Sequence, residues 1–236
     1  MTSAPFRGLV LACVLLAGCA DCRGCGARRA SPVVTIPRAP AQVDVMRRAV
    51  LQGLELRRGM VVAEIGLGRG WFVFRARAPL GHEGRIYATD TDPAAISFMR
   101  GRMPRVDPAT APVELRLCRG PRDTGLDDLP DDTVDIITMI DSLCFDGQTP
   151  RADDIAYLRR FLRILRPGGR LVHHMDCGCR VAPEAVTALF VDAGFVTAGA
   201  IEIPPPREPV DPSWACRTGA ERARDAFVGV YGKAPR

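Results

Sequence analysis

From Ala41 onward the chain alternates two kinds of hydrophobic pattern. Val43, Met46, Val50, Leu54 and Leu56 recur at roughly helical spacing with Arg47, Arg48, Arg57 and Arg58 between them, which predicts an amphipathic helix ending at Gly59. Residues 60–65 then form a near-continuous apolar run. Such a run suits a strand buried on both faces, as in a parallel sheet. The pair of patterns repeats: a helix from about 70 to 78, a strand over 85–89, a helix over 93–102 and a strand over 113–118. It goes on with a strand over 134–140, a helix over 153–165, a strand over 170–175, a helix over 183–193 and a strand over 196–203. Strand and helix in turn imply right-handed crossovers and an α/β, doubly wound sheet. No internal repeat is visible.

The first 40 residues follow neither pattern. Arg7 precedes an apolar run over 9–17, shorter than the ~20 residues needed to span a bilayer. Its length is that of a signal-peptide core. Leu16-Ala17-Gly18-Cys19 comes next and resembles the lipobox of bacterial lipoproteins. That resemblance implies a signal peptide over 1–18, cleavage before Cys19 and lipidation of its thiol. Two or three acyl chains on one cysteine hold a protein firmly on a membrane. Ala20, rather than Asp, beside the cysteine implies the periplasmic face of the outer membrane. The alternative is translation from Met46, which gives a cytoplasmic protein. Residues 19–40, with Cys22, Cys25, Pro32, Pro37 and Pro40, read as a flexible linker, and residues 41–236 as the single folded domain.

Composition narrows the class. The chain has 236 residues, 47% hydrophobic and 25% charged, which suits one large domain and excludes collagen-like, disordered and polytopic membrane proteins. The formal charge is +5, yet the arginines are scattered among 27 acids and Lys233 is the only lysine. No basic stripe forms, so nucleic acid is not an expected partner.

The chemistry is concentrated where the first strand turns into a helix. Glu64-Ile65-Gly66-Leu67-Gly68-Arg69-Gly70 puts glycines where positive φ and close approach of a ligand to the backbone are needed. Asp90 ends the next strand, about twenty residues on, where a carboxylate accepts ribose hydroxyls. A dinucleotide-binding turn wants a further glycine at the position held by Trp71, which argues against a nicotinamide cofactor.

Five segments in order carry a family resemblance: residues 64–70, 87–93, 129–135, 165–172 and 192–195. Together they resemble the class I S-adenosylmethionine-dependent methyltransferases over residues 41–203, with 226–231 fitting the last strand. The resemblance implies a Rossmann-like, seven-stranded sheet whose last strand is antiparallel, with S-adenosylmethionine as cofactor. It places Gly66, Gly68 and Gly70 around the methionine portion, Glu64 beneath it, and Asp90 with Thr91 at the ribose. Asp123 is the candidate for the adenine amino group, with Asp127 and Asp128 competing for that role. Asp141, just past the fourth strand, would face the methyl group or the substrate, a small molecule or an envelope component. Relatives often carry His or Glu-His there, whereas this chain has Asp141-Ser142-Leu143-Cys144-Phe145. No catalytic base is therefore assigned, and a lipoprotein that binds the cofactor without reacting is the alternative.

Cys118, Cys144, Cys177 and Cys179 fall at or beyond the carboxyl ends of central strands, with His173 and His174 near the last two. A soft-ion site or an acceptor thiol is one reading. Core residues or disulfides is the favoured one, so no metal is expected. The pairing of these cysteines and of Cys216 is left open. Pro204-Pro205-Pro206 and Trp214 mark an insertion that reads as a surface loop, or as a cap over the substrate.

Overall fold

The computed structural model describes residues 41–103, 107–145, 147, 149, 151–175, 181–203 and 227–235. The expected signal peptide and linker, Cys19, Cys22, Cys25, Cys177, Cys179, Cys216 and Trp214 lie outside the described residues.

Helix α1 (Ala41–Gly53) carries Met46 and Val50 into the core, followed by Leu54, and ends six residues before Gly59. Gly59 instead lies in the turn leading to β1 (Val61–Ile65), with φ +81°. Then follow α2 (Trp71–Leu80), β2 (Arg85–Asp90), α3 (Pro93–Arg102) and β3 (Val113–Leu117). Asp92 caps α3 by accepting from the Ala94 N–H at 2.8 Å, with Pro93 in the first turn, where its missing N–H costs nothing.

Among the described residues strict alternation fails after β3. Between β3 and β4 (Val134–Ile140) the chain runs through turns without a helix. Side chains hold this segment: the Thr124 hydroxyl accepts from Leu126 N–H at 3.0 Å, and Arg163 donates to the carbonyl oxygens of Leu129 (2.8 Å) and Asp127 (3.0 Å). Helix α4 (Arg151–Ile164) passes straight into β5 (Leu165–Met175), five residues earlier than the apolar pattern indicates. Pro167 to Gly169 form an irregularity inside that strand, since the pairing jumps from Val134↔Leu165 to Ile136↔Arg170. Helix α5 (Pro183–Ala193), β6 (Val196–Ala200) and β7 (Phe227–Gly232) complete the domain.

The strands form one sheet in the order β3-β2-β1-β4-β5-β7-β6. All neighbours are parallel except β7, which runs antiparallel to both β5 and β6. This is the seven-stranded, Rossmann-like fold that the resemblance implies. Side chains alternate between two apolar cores. Val62, Ile136 and Val172 face α1, α2 and α3, while Ala63, Ile137 and Leu171 face α4 and α5. The strand order reverses between β1 and β4. At such a switch point the connecting loops part, and the carboxyl ends of the strands leave a crevice for a ligand.

Candidate active site

The turn from β1 to α2 is built on three left-handed glycines, Gly66 (φ +79°), Gly68 (+51°) and Gly70 (+73°). They differ in what surrounds them. A Cβ on Gly66 would sit 2.3 Å from the Ser142 Cβ, and one on Gly70 2.3 Å from the Met99 methyl carbon, whereas one on Gly68 would meet nothing within 4 Å. Gly66 and Gly70 are thus glycine for packing, and Gly68 is the open rung over which a ligand can lie. The turn is tied to β2 by the Gly66 and Leu67 N–H groups, both donating to the Thr89 carbonyl oxygen, at 2.8 and 2.9 Å.

Asp90 organises the same edge. One carboxylate oxygen accepts from the Gly68 N–H and the other from the Asp92 N–H, each at 2.8 Å. A carboxylate has roughly four acceptor positions, so two remain open. Thr91 follows, exposed, in the turn to α3. Beneath the glycines Glu64 is 2% exposed, and its Oε2 is buried with no hydrogen-bond partner. Burial, and secondly the Asp90 charge, push its carboxyl well above the usual carboxylate range. An orphaned buried carboxylate oxygen at the floor of a crevice is a group waiting for a donor.

The third wall comes from the β3–β4 segment. Asp123 accepts from Arg119 N–H (2.7 Å) and Gly125 N–H (3.0 Å), and these two bonds hold its carboxyl below the usual range. Of the two acids that compete with it, Asp127 pairs with Arg160 at 2.8 Å and Asp128 with Arg116 at 2.5 Å. The Cys118 thiol, raised by burial and then by nearby acids including Asp123 and Asp90, lies between these two edges.

At the end of β4 the backbone of Asp141 takes a left-handed turn (φ +54°), and the next residue, Ser142, packs on Gly66 with its Oγ buried and unpartnered. The Asp141 carboxylate oxygen accepts from His174 Nδ1, across from the end of β5. The Ile140↔His174 register brings this about. Sequence reasoning treats His173 and His174 alike, as packed strand residues. The structure separates them, because successive strand residues face opposite ways. His173 is fully buried against Phe145 and Phe190, donates from Nε2 to the Leu143 carbonyl oxygen at 2.9 Å, and is pushed down to about 4 by burial. His174, 6% exposed, is on the opposite face at the carboxyl end of β5, held by Asp141. The packing of Ser142 on Gly66 and the Asp141–His174 contact are what sequence alone does not show.

Among the described residues no group of three or more His, Cys, Asp or Glu could hold a metal ion. Cys118 is a free buried thiol, and Cys144 is disulfide-bonded.

Residues 62–169 match the family model described as a methyltransferase domain. The fold is that of the class I methyltransferases. No curated protein matches the sequence. Among solved structures, a SAM-dependent methyltransferase from Aquifex aeolicus aligns with TM-score 0.57 and 19% identity over 83% of this chain and 94% of that one. The N-methyltransferase NodS from Bradyrhizobium japonicum WM9 aligns with TM-score 0.55 and 16% identity, covering 84% and 98%. Aeropyrum pernix fibrillarin, in complex with natively bound S-adenosyl-L-methionine, aligns with TM-score 0.52 and 18% identity, covering 81% and 76%. Methyltransferase domains of this class use S-adenosylmethionine, and the residues here fit it: an open left-handed glycine, a half-engaged carboxylate at the end of β2 and an orphaned carboxylate oxygen below.

Proposed function

We propose that this chain is an S-adenosylmethionine-dependent methyltransferase that acts on a small molecule or cell-envelope component from a lipid anchor on Cys19. The observation that carries the cofactor reading is the triad at the switch point: Gly68 open above, Asp90 with acceptor positions to spare, and the Glu64 Oε2 buried without a partner. When bound, the cofactor supplies an electrophilic methyl group on a sulfonium, itself an excellent leaving group. The protein's work is then chiefly to hold two reactants close and aligned. Gly66, Gly68 and Gly70 shape the berth for the methionine portion. Asp90, with Thr91 beside it, receives the ribose. Glu64 offers its free oxygen to the amino group, directly or through water. Asp123 stands toward the adenine, and Asp141 toward the acceptor.

The anchor reading rests on the apolar run over 9–17 and Cys19, and a disulfide at Cys144 suits the oxidising space to which such a leader delivers a chain. No helix among the described residues is long and apolar enough to cross a membrane. Titration calorimetry with S-adenosylmethionine, followed by incubation with methyl-labelled cofactor and cell extracts, tests the enzyme. We expect micromolar binding, label in an envelope or small-molecule fraction, and at least tenfold weaker binding for Asp90→Ala, which also frees the Gly68 N–H. Unaltered affinity in that variant would sink the assignment of the ribose position.

A further inference from the structure

The loop after β4 supplies no imidazole, and the sequence reading leaves the reaction without a base. The structure supplies one from the neighbouring strand. We propose that His174, oriented by Asp141, is the general base that takes the proton from the methyl acceptor, and that the acceptor is accordingly a protic nucleophile, an O–H or N–H group. This inference rests on the methyltransferase reading and deepens it.

Three observations converge on His174. It ends the run of β4–β5 pairs, so it stands at the carboxyl edge where the crevice opens. The Asp141 carboxylate takes Nδ1, a bond between residues 33 apart in sequence, and a carboxylate only accepts, so the neutral imidazole carries its hydrogen on Nδ1 and leaves a lone pair on Nε2. Nε2 has no hydrogen-bond partner among the described residues, and the next residue after Asp141, Ser142, packs directly on Gly66 of the cofactor turn. A base held by a carboxylate and placed beside the donor's berth is the arrangement that nucleophile activation requires. His173 is excluded from the role, since its Nε2–H is committed to the Leu143 carbonyl oxygen and its ring is fully buried.

The step balances as follows. The acceptor's X–H bond breaks toward Nε2 and the freed pair on X forms the new X–C bond. The C–S pair leaves with sulfur, yielding a neutral thioether and an imidazolium beside the Asp141 carboxylate. That proton then passes to water, restoring the imidazole. No oxidant, reductant or further reactant enters. An acceptor already carrying a free pair, such as a thioether or tertiary amine, needs none of this.

The chain has only three histidines, which makes the test direct and independent of the unidentified acceptor. Long-range proton–nitrogen NMR on the full chain labelled with ¹⁵N-histidine, assigned with His174→Gln, reads the tautomer. We expect Nδ1–H at His174, reverting to the ordinary mixture dominated by Nε2–H in Asp141→Ala. Nε2–H in the unaltered chain would overturn the proposal, since a nitrogen that already bears a proton cannot take one. Diethyl pyrocarbonate, which acylates accessible unprotonated imidazole nitrogens, supplies the second readout. His174 should react, and S-adenosylhomocysteine should slow that reaction at least tenfold while leaving the exposed His82 unaffected. Failure of His174 to react while His82 does, or reaction undiminished with S-adenosylhomocysteine shown bound by calorimetry, would overturn the proposal while leaving the cofactor reading intact. Absence of S-adenosylhomocysteine binding to the unaltered chain would overturn both.

Discussion

Gly66 and Gly68 share a backbone conformation and differ in what a methyl group there would strike. Gly68→Ala meets open space, so its cost to folding is that of the left-handed backbone alone, ~1 kcal/mol, while cofactor affinity should fall at least tenfold. Gly66→Ala drives a Cβ into Ser142 at 2.3 Å and should lower the melting temperature well beyond the Gly68→Ala value. Paired thermal melts and calorimetry check this, and equal melting temperatures would refute the division of roles. Glu64 makes a prediction of opposite kind. Its carboxyl is raised in the folded state, so its stabilising effect is complete below the ordinary value of 4.5 and is lost as pH rises through the raised one. Folding stability of the cofactor-free chain should therefore decline over that window. Glu64→Gln should flatten the decline in a pH series of denaturant melts, stabilise the free chain above it and weaken cofactor binding. The glycine turn and Asp90 are legible in sequence because a strand, a tight turn and a helix are local. The orphaned state of Glu64 is not, since it depends on how β2 and α2 close over it.

At the scale of elements, contacts between segments distant in sequence do most of the work that patterning cannot show. Helix α4 is read correctly from its apolar stripe, but two of its arginines serve the helix-free β3–β4 segment rather than solvent. Arg160 and Arg163 reach Asp127 and Asp131 there, each at 2.8 Å. Arg122 returns the favour, donating from Nε to the buried Asp154 of α4 at 2.6 Å while its guanidinium lies 5.5 Å from the ring centres of Phe145 and Tyr157. This pair is largely withdrawn from water, so removing one partner strands a charge. Arg122→Ala should cost ~3 kcal/mol, read as a shift in the midpoint of denaturant unfolding, whereas Arg151→Ala, on an exposed pair with Asp192, should cost under ~1 kcal/mol. Equal effects would mean that the Arg122 pair is no better shielded than the other. The same dependence on long-range placement hides the Asp141–His174 contact. Each residue is predicted at a strand end, but whether the two meet is set by register, and the irregularity at Pro167 to Gly169 shifts the β4–β5 pairing by residues that no periodicity announces.

For the whole molecule, the proposed location constrains the chemistry as strongly as the site does. If Cys19 carries the lipid, residues 19–40 reach at most about 75 Å when fully extended, so an acceptor is either diffusible or held in the envelope within that distance plus the depth of the domain. Cysteine state and mature terminus must then agree, because both follow from the compartment. In protein taken from the envelope, denaturing alkylation without reductant should label Cys118 and spare Cys144, and the first residue should be an acylated Cys19. Cys19→Ser should abolish acylation and release the chain from membrane pellets. A chain started at Met46 and recovered from the cytosol should label at both Cys118 and Cys144, since thiols there are kept reduced. A native terminus at Met46 together with complete labelling of Cys144 would reject the anchor and move the search for an acceptor to the cytosol. The glycine turn, Asp90 and the His174–Asp141 pair would stand unchanged, because none of them depends on which side of the membrane the domain occupies.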